Sequence, residues 1–486
     1  MMECWNGGAG VVPDTDSKDK GRESVEYNRK IGRRGALRVL GVAGAGCLAG
    51  TQATWGAESA AVGVNVSEDA ESSRPLPEDP VAATHELFDR YERRFAEARL
   101  RLPDWNPAEA ADREGIARSV KECLGIRDEW IPEIEAEKVG SVDFDGGRIE
   151  RLRATSWEGT AASALLYVPE DAGTDRLPLV VVCCGHGKGG KLSSTYQRMS
   201  RHLARRGAMV LCPDNIGQGE REPMGHRACV APFVCGLSVQ GLIVMETLGW
   251  IGWTRKEARV DPERVAAIGQ SGGGTLTVFL SALCPKLAAL SSSGYPSTFD
   301  FIARKEKRHC HCNLLPGIVG RLEMWHLLGC FAPRPMFIFQ GSADPLFPVD
   351  LFYQTARKMR YVYGQHSAEK AFSSRVFPGG HSWEEPRYQV TGDFLAGPLG
   401  LGKRQAGEDF EEVLLGDDGR CWEKWPGDAV DTDTLAQRLS GRRVEGEPSL
   451  ADVFPARGAP TELVDVTKRG STRQVFAQWE VFLGGR

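Results

Sequence analysis

The sequence predicts an α/β fold with a mainly parallel central sheet, helices on both faces, an N-terminal helical extension and a C-terminal accessory segment. Three observations carry that expectation. Short continuous apolar runs such as Leu179–Cys184 have the length and β-branched content of strands buried on both faces. Segments of helical spacing lie between successive runs, so strand and helix alternate along the chain. Several runs end in glycine-rich corners, and the chain carries 57 Gly, as many strand-to-helix turns require.

At 486 residues the chain can hold one large domain with additions, or two domains. A formal net charge of −5 gives no reason to expect nucleic acid or an anionic membrane as partner. Residues 1–57 read as an export signal. Arg33-Arg34 precedes an uncharged run, Gly35–Gly50, broken only by Arg38, and this resembles a twin-arginine signal. The run is too short and glycine-rich to span a membrane comfortably. Cleavage is expected within Ala49–Ala61, and Gly44-Ala45-Gly46 before Cys47 lacks the aliphatic residue of a lipidation site. The expected location is periplasmic or extracellular.

Residues 58–80, rich in Ser, Glu, Asp and Pro, read as a linker, 81–400 as the catalytic domain, and 401–486 as an accessory segment without visible chemistry. Thr84–Leu100 has Leu87, Phe88, Tyr91, Phe95 and Leu100 at helical spacing. Val139–Phe144, Ile149–Ser156 and Ala161–Val168 read as antiparallel strands joined by Gly-containing turns. Parallel strands are expected at Leu179–Cys184, Ala208–Cys212, Val265–Ile268, Leu287–Leu290 and Met336–Phe339, with helices over Tyr196–Arg206 and Leu237–Leu248 among them.

On such a sheet, functional residues gather at the carboxyl ends of the strands. Gly269-Gln270-Ser271-Gly272-Gly273 matches G-x-S-x-G, a pattern that chance alone would yield roughly 0.4 times in a chain of this composition. Its context is stronger: an apolar strand precedes it and a helix-compatible segment follows, as a nucleophile elbow requires. Asp344 follows the strand Met336–Phe339, and His381 sits in Phe377-Pro378-Gly379-Gly380-His381-Ser382. Ser271 as nucleophile, Asp344 as acid and His381 as base keep the chain order that this geometry demands. Gly185-His186-Gly187-Lys188-Gly189-Gly190 follows the first buried parallel strand. The expected oxyanion donors are the N–H of Gly272 and one from Gly187 or Lys188. A phosphate-binding reading of that loop fails, because Leu192 follows Lys191 where Ser or Thr is needed.

Together with Pro213–Glu220, Ala332–Pro335 and Gly341–Asp344, these motifs resemble the α/β-hydrolase superfamily over about Lys138–Leu395. Within it they are most similar to the bacterial acetyl xylan esterase and dienelactone-hydrolase-like branch. Dienelactone hydrolases proper use cysteine, so Ser271 favours the esterases. The resemblance implies a serine carboxylesterase acting on a short acyl ester, such as acetyl on xylan, without a cofactor. A prolyl-oligopeptidase-like peptidase, a uronate methyl esterase and a catalytically idle carbohydrate-binding protein are the alternatives. The expected partner is a small ester or acylated oligosaccharide, and oligomeric state is not set by the sequence.

The 13 Cys show neither a metal-finger spacing nor a disulfide framework, and Cys183-Cys184 read as small buried residues. His309-Cys310-His311-Cys312 is expected as a loop near the pocket, in one lid-like insertion with Trp325 and His326 before Ala332. Even if extended, it would send its histidines to one face and its cysteines to the other. Four such ligands cannot converge on one ion, so no metal is expected there.

Overall fold

Nine strands form one sheet, and their burial follows from their sequences. The computed structural model describes residues 77–79, 82, 86, 89, 96, 100, 102–170, 175–226, 229–304, 311–402, 414–446 and 453. The export segment, nearly all of the 58–80 linker, most of Thr84–Leu100, and His309 and Cys310 lie outside the described residues. All described residues belong to one unit, Ala70–Arg486.

The described elements begin with α1 (Ala110–Leu124), then β1 (Glu135–Phe144), β2 (Gly147–Thr155) and β3 (Ala161–Pro169). These three strands are antiparallel neighbours. β1 lies at the sheet edge and is half solvated, whereas all nine residues of β3 are buried. There follow β4 (Leu177–Cys183), α2 (Ser194–Ala204), β5 (Met209–Pro213), α3 (Val239–Lys256), β6 (Val260–Gln270), α4 (Gly272–Leu283) and β7 (Ala289–Ser293). The sheet is completed by β8 (Met336–Gly341), α5 (Val349–Gln365), β9 (Phe372–Phe377) and α6 (Arg387–Leu399).

The strand order is β1-β2-β3-β5-β4-β6-β7-β8-β9. Pairing is antiparallel as far as β5 and parallel from β5 to β9. In β4, Leu179, Val181 and Cys183 enter one apolar cluster while Val180 and Val182 enter another. Consecutive apolar residues therefore serve opposite faces, and each fully buried aliphatic side chain contributes about 1.5–3 kcal/mol. The chain runs from β4 to one neighbour, β5, and later returns to the other side as β6. That reversal opens a crevice at the carboxyl ends of β4 and β6, the place where such sheets bind ligands.

Several elements differ from the sequence expectation, among them β1, which begins four residues early at Glu135. The α1 helix was missed, although Ile116, Val120, Cys123 and Leu124 bury one face at helical spacing. The α3 helix runs eight residues past its expected end at Leu248, because Gly249 does not stop it. A Cβ at Gly249 would stand 2.5 Å from the Pro132 carbonyl oxygen, so the glycine permits close packing within the helix. The β6 strand begins five residues earlier, at Val260, before Pro262. The β7 strand continues through Ser291–Ser293, whose buried hydroxyls include Ser292 Oγ donating to the Gly274 carbonyl at 3.0 Å.

Candidate active site

Ser271 stands between β6 and α4 with φ 59° and ψ −120°. A side-chain-bearing residue in that region is strained by about 1–3 kcal/mol and persists only where its surroundings fix it. The flanking glycines supply the room. A Cβ on Gly269 would lie 2.2 Å from the Gly273 carbonyl oxygen, and one on Gly273 would lie 1.9 Å from that of Cys183. No other residue type fits that crossing of strand and helix. The Ser271 N–H donates to the Ser293 carbonyl at 3.0 Å, which anchors the elbow to the end of β7.

Asp344 and His381 lie on the loops that follow β8 and β9. The loops brace one another: Ser342 N–H donates to Phe377 O at 2.8 Å and Ala343 N–H to Gly379 O at 2.9 Å. His381 Nδ1 donates to Asp344 Oδ2 at 2.7 Å, which leaves Nε2 as the basic nitrogen. Asp344 Oδ1 accepts from the N–H groups of Leu346 at 2.8 Å and Phe347 at 3.2 Å. Burial works to raise the Asp344 pKa, but the hydrogen bond from His381 and these amides outweigh it and hold the carboxyl below its ordinary range. The pair can therefore keep one imidazole tautomer and stabilise an imidazolium.

Arg387, at the start of α6, holds the histidine loop from behind. Its guanidinium donates to the carbonyls of Gly380 at 2.8 Å, Ser382 at 2.6 Å and Pro378 at 3.0 Å. Sequence reasoning missed it, and an arginine six residues past a candidate base carries no distinguishing signal.

The structure brings His381 to Asp344 and places their pair beside the elbow. A Cβ on Gly294, next to Ser293, would lie 2.8 Å from His381 Cε1 and 3.5 Å from Gln270 Cγ. The ring thus sits over the ends of β6 and β7. No hydrogen bond joins Ser271 Oγ to His381 among the described residues, and the buried Nε2 makes none. Catalytic hydrogen bonds in ligand-free enzymes are often long and tighten with substrate.

The loop from Gly185 to Gly190 lies against the start of α4. A Cβ on Gly185 would be 3.2 Å from the Gly272 nitrogen, and one on Gly272 would be 2.6 Å from His186 Nδ1. Gly185 N–H donates to Tyr196 Oη at 2.5 Å, and the Tyr196 ring meets Trp383 of the histidine loop edge-on at 6.3 Å. Of the expected oxyanion donors, Gly272 opens the helix and Lys188 is exposed in the turn, while the Gly187 N–H is given to Gln218 Oε1 at 3.2 Å. Gln218 was not anticipated.

Of the His309–Cys312 segment, expected as a loop, the described residues begin at His311. His311–Asn313 forms a turn of 3-10 helix in which neighbouring side chains diverge. His311 Nδ1 bonds the Cys229 carbonyl at 2.7 Å, whereas Cys312 Sγ lies 3.1 Å from His186 Nε2.

No protein-family model matches the chain. YtaP of Bacillus subtilis strain 168, provisionally named a hydrolase, is 20% identical over 185 residues, covering 37% of this chain and 62% of YtaP. The match thus spans about three fifths of that relative's length. Among solved structures, the methylesterase BT1017 superposes with a TM-score of 0.51 at 19% identity, over 73% of this chain and 74% of its own. A protein from Bacteroides fragilis, provisionally named an acetyl xylan esterase, gives 0.49 at 16% identity, over 59% of this chain and 82% of its own. The strand order, with antiparallel strands leading into a parallel sheet that reverses at β4, and the superposition on BT1017 together show that this chain has the α/β-hydrolase fold.

Proposed function

We propose that the chain is a serine carboxylesterase in which Ser271, His381 and Asp344 act as nucleophile, base and acid. The observation that carries this reading is the strained serine elbow lying beside a partly buried Asp-His pair whose remaining nitrogen, Nε2, is free of the carboxylate. His381 Nε2 takes the proton of Ser271 as Oγ attacks the ester carbonyl. The negative charge that develops on the carbonyl oxygen is met by the N–H of Gly272 and by one from Gly187 or Lys188. Gln218 Oε1 now holds the acceptor position at Gly187, and an incoming substrate oxygen displaces it. His381 then protonates the departing alcohol, and a water activated by the same nitrogen hydrolyses the acyl-enzyme.

The assignment is tested with p-nitrophenyl acetate and a fluorophosphonate probe on the purified protein. Ser271→Ala is expected to lower kcat by at least ~10⁴-fold and to abolish labelling. Activity retained in the variant would reject the triad, and a native protein that resists the probe would support the idle-protein alternative.

For the substrate, the reading is a short acyl ester, acetyl above all, on a carbohydrate such as xylan. It rests on the motif resemblance. Methyl esters of uronates form the second reading, favoured by the methylesterase name of BT1017. A screen over acetylated oligosaccharides, uronate methyl esters and an aminoacyl-proline substrate separates both from a peptidase. Export through Arg33-Arg34 is part of the same proposal. Replacing both by lysine is expected to leave the protein inside the cell, and unchanged secretion would refute it.

A further inference from the structure

Beside the elbow, three side chains from three separate loops converge. His186 follows β4, His226 follows the 3-10 helix Gly219–Met224, and Cys312 belongs to the insertion before β8. Their donor atoms all lie within 4.8 Å of one another. His186 Nε2 stands 3.0 Å from His226 Nε2 and 3.1 Å from Cys312 Sγ. We propose that His186, His226 and Cys312 bind a divalent transition-metal ion of the zinc type, one imidazole ring away from the residue that follows Ser271.

The donor set and its distances support the site. Two imidazoles and a thiolate suit zinc and its thiophilic neighbours and not calcium or magnesium, which take oxygen. A tetrahedral ion with bonds of about 2.0–2.1 Å to nitrogen and 2.3 Å to sulfur separates its donors by about 3.3–3.6 Å. The two separations from His186 are a few tenths of an ångström smaller and the third pair lies within 4.8 Å, so modest side-chain rotation admits the ion.

Outer partners already orient the ligands. His226 Nδ1 bonds the Ile216 carbonyl at 2.8 Å. A carbonyl only accepts, so Nδ1 carries the proton and Nε2 presents its lone pair to the cluster. Asn313 Nδ2 donates to Cys312 Sγ at 3.5 Å, which favours the thiolate. A hydrogen-bonded cluster without metal would instead have His186 Nε2 share one proton between the His226 nitrogen and the sulfur. On binding, the Cys312 thiol releases its proton to solvent, the sulfur and both Nε2 lone pairs form the metal bonds, and water fills the fourth position.

The site also bears on the active-site loop. The other nitrogen of His186 faces Gly272, so an ion held at Nε2 fixes the Gly185–Gly187 turn against the elbow. His186 is then a positioning residue.

The test reads the metal itself and does not depend on esterase activity. Protein stripped with a chelator and dialysed is titrated with cobalt(II). The expected result is a single equivalent bound with thiolate-to-cobalt charge-transfer absorption, displaced by zinc. Cys312→Ser should abolish that absorption, and His186→Ala, at an exposed position, should weaken cobalt binding by at least ~10-fold. The circular dichroism of each variant is compared with that of native protein, and His186→Ala carries the test if Cys312→Ser fails to fold. Cobalt uptake without the thiolate band, no uptake by the native protein, or undiminished affinity in His186→Ala would each overturn the proposal.

Discussion

Glu323 shows how much one side chain's surroundings can change its chemistry. It precedes the short helix Met324–Gly329, where its carboxylate caps the His326 amide while its own N–H donates to His326 Nδ1 at 3.0 Å. Oε2 also accepts from Phe299 N–H at 2.9 Å. Protein surrounds the carboxyl, and loss of hydration pushes its pKa from 4.5 up to about 7, with these hydrogen bonds opposing. The proton is thus bound more tightly in the folded state. The stabilisation from that proton is complete below the ordinary value of 4.5 and is lost as pH rises through about 7. Glu323→Gln keeps an acceptor but cannot ionise. Its Tm should change less than that of the native protein between about pH 5 and 7, where the native protein loses this contribution. Melting curves across this range check it, and parallel profiles for the two proteins would reject it. Asp344 has the opposite sign: its depressed pKa adds stability at neutral pH that disappears in acid.

Among the secondary-structure elements, those made of consecutive apolar residues were legible to within a few positions. Leu179–Cys184, Ala208–Cys212 and Met336–Phe339 all became buried parallel strands. A residue buried on either face of a sheet must be apolar whatever its parity, so such runs announce themselves. Elements defined by packing were less visible. The strand expected to end at Leu290 runs on through serines, and Ser292 and Ser293 donate their hydroxyls to the Gly274 and Gly269 carbonyls of the elbow. Gly249 read as a helix end because its meeting with Pro132 involves residues more than a hundred positions apart. The α1 helix ends on Gly125 at φ 69°, a stop signal that was present and unused.

At the scale of the whole molecule, the segment after the catalytic region packs on the sheet. Cys421 and Trp422 give their N–H groups to Glu220 at 2.9 Å each, and Trp422 Nε1 donates to the Ala162 carbonyl at 3.2 Å. Gln197 exchanges two hydrogen bonds with the backbone of Leu415, at 2.9 and 2.8 Å. Glu220 also pairs with Lys191, whose ammonium is completely buried and bonds Asp214 Oδ2 at 2.6 Å. Burial works against the Lys191 charge, but the two carboxylates overcome it and hold the pKa above the ordinary value. Glu220→Gln takes one of the two carboxylates from a buried cation, and breaking such a pair typically costs about 3–5 kcal/mol. A urea midpoint lowered accordingly is the expected outcome. A change within ~0.5 kcal/mol would show that the segment is held by other contacts.

By itself the sequence determined the fold class and the three residues proposed for catalysis, because apolar runs, glycine corners and chain order are local signals. The tertiary structure decided what those residues touch. It joined His381 to Asp344, set Arg387 behind the histidine loop and engaged the Gly187 amide with Gln218. It also drew His186, His226 and Cys312 into one cluster although two of its three intervals span 40 and 126 positions. Spacing along a chain constrains only neighbours within a turn or a strand. Meetings of this kind arise when separate loops are carried to the same end of one sheet.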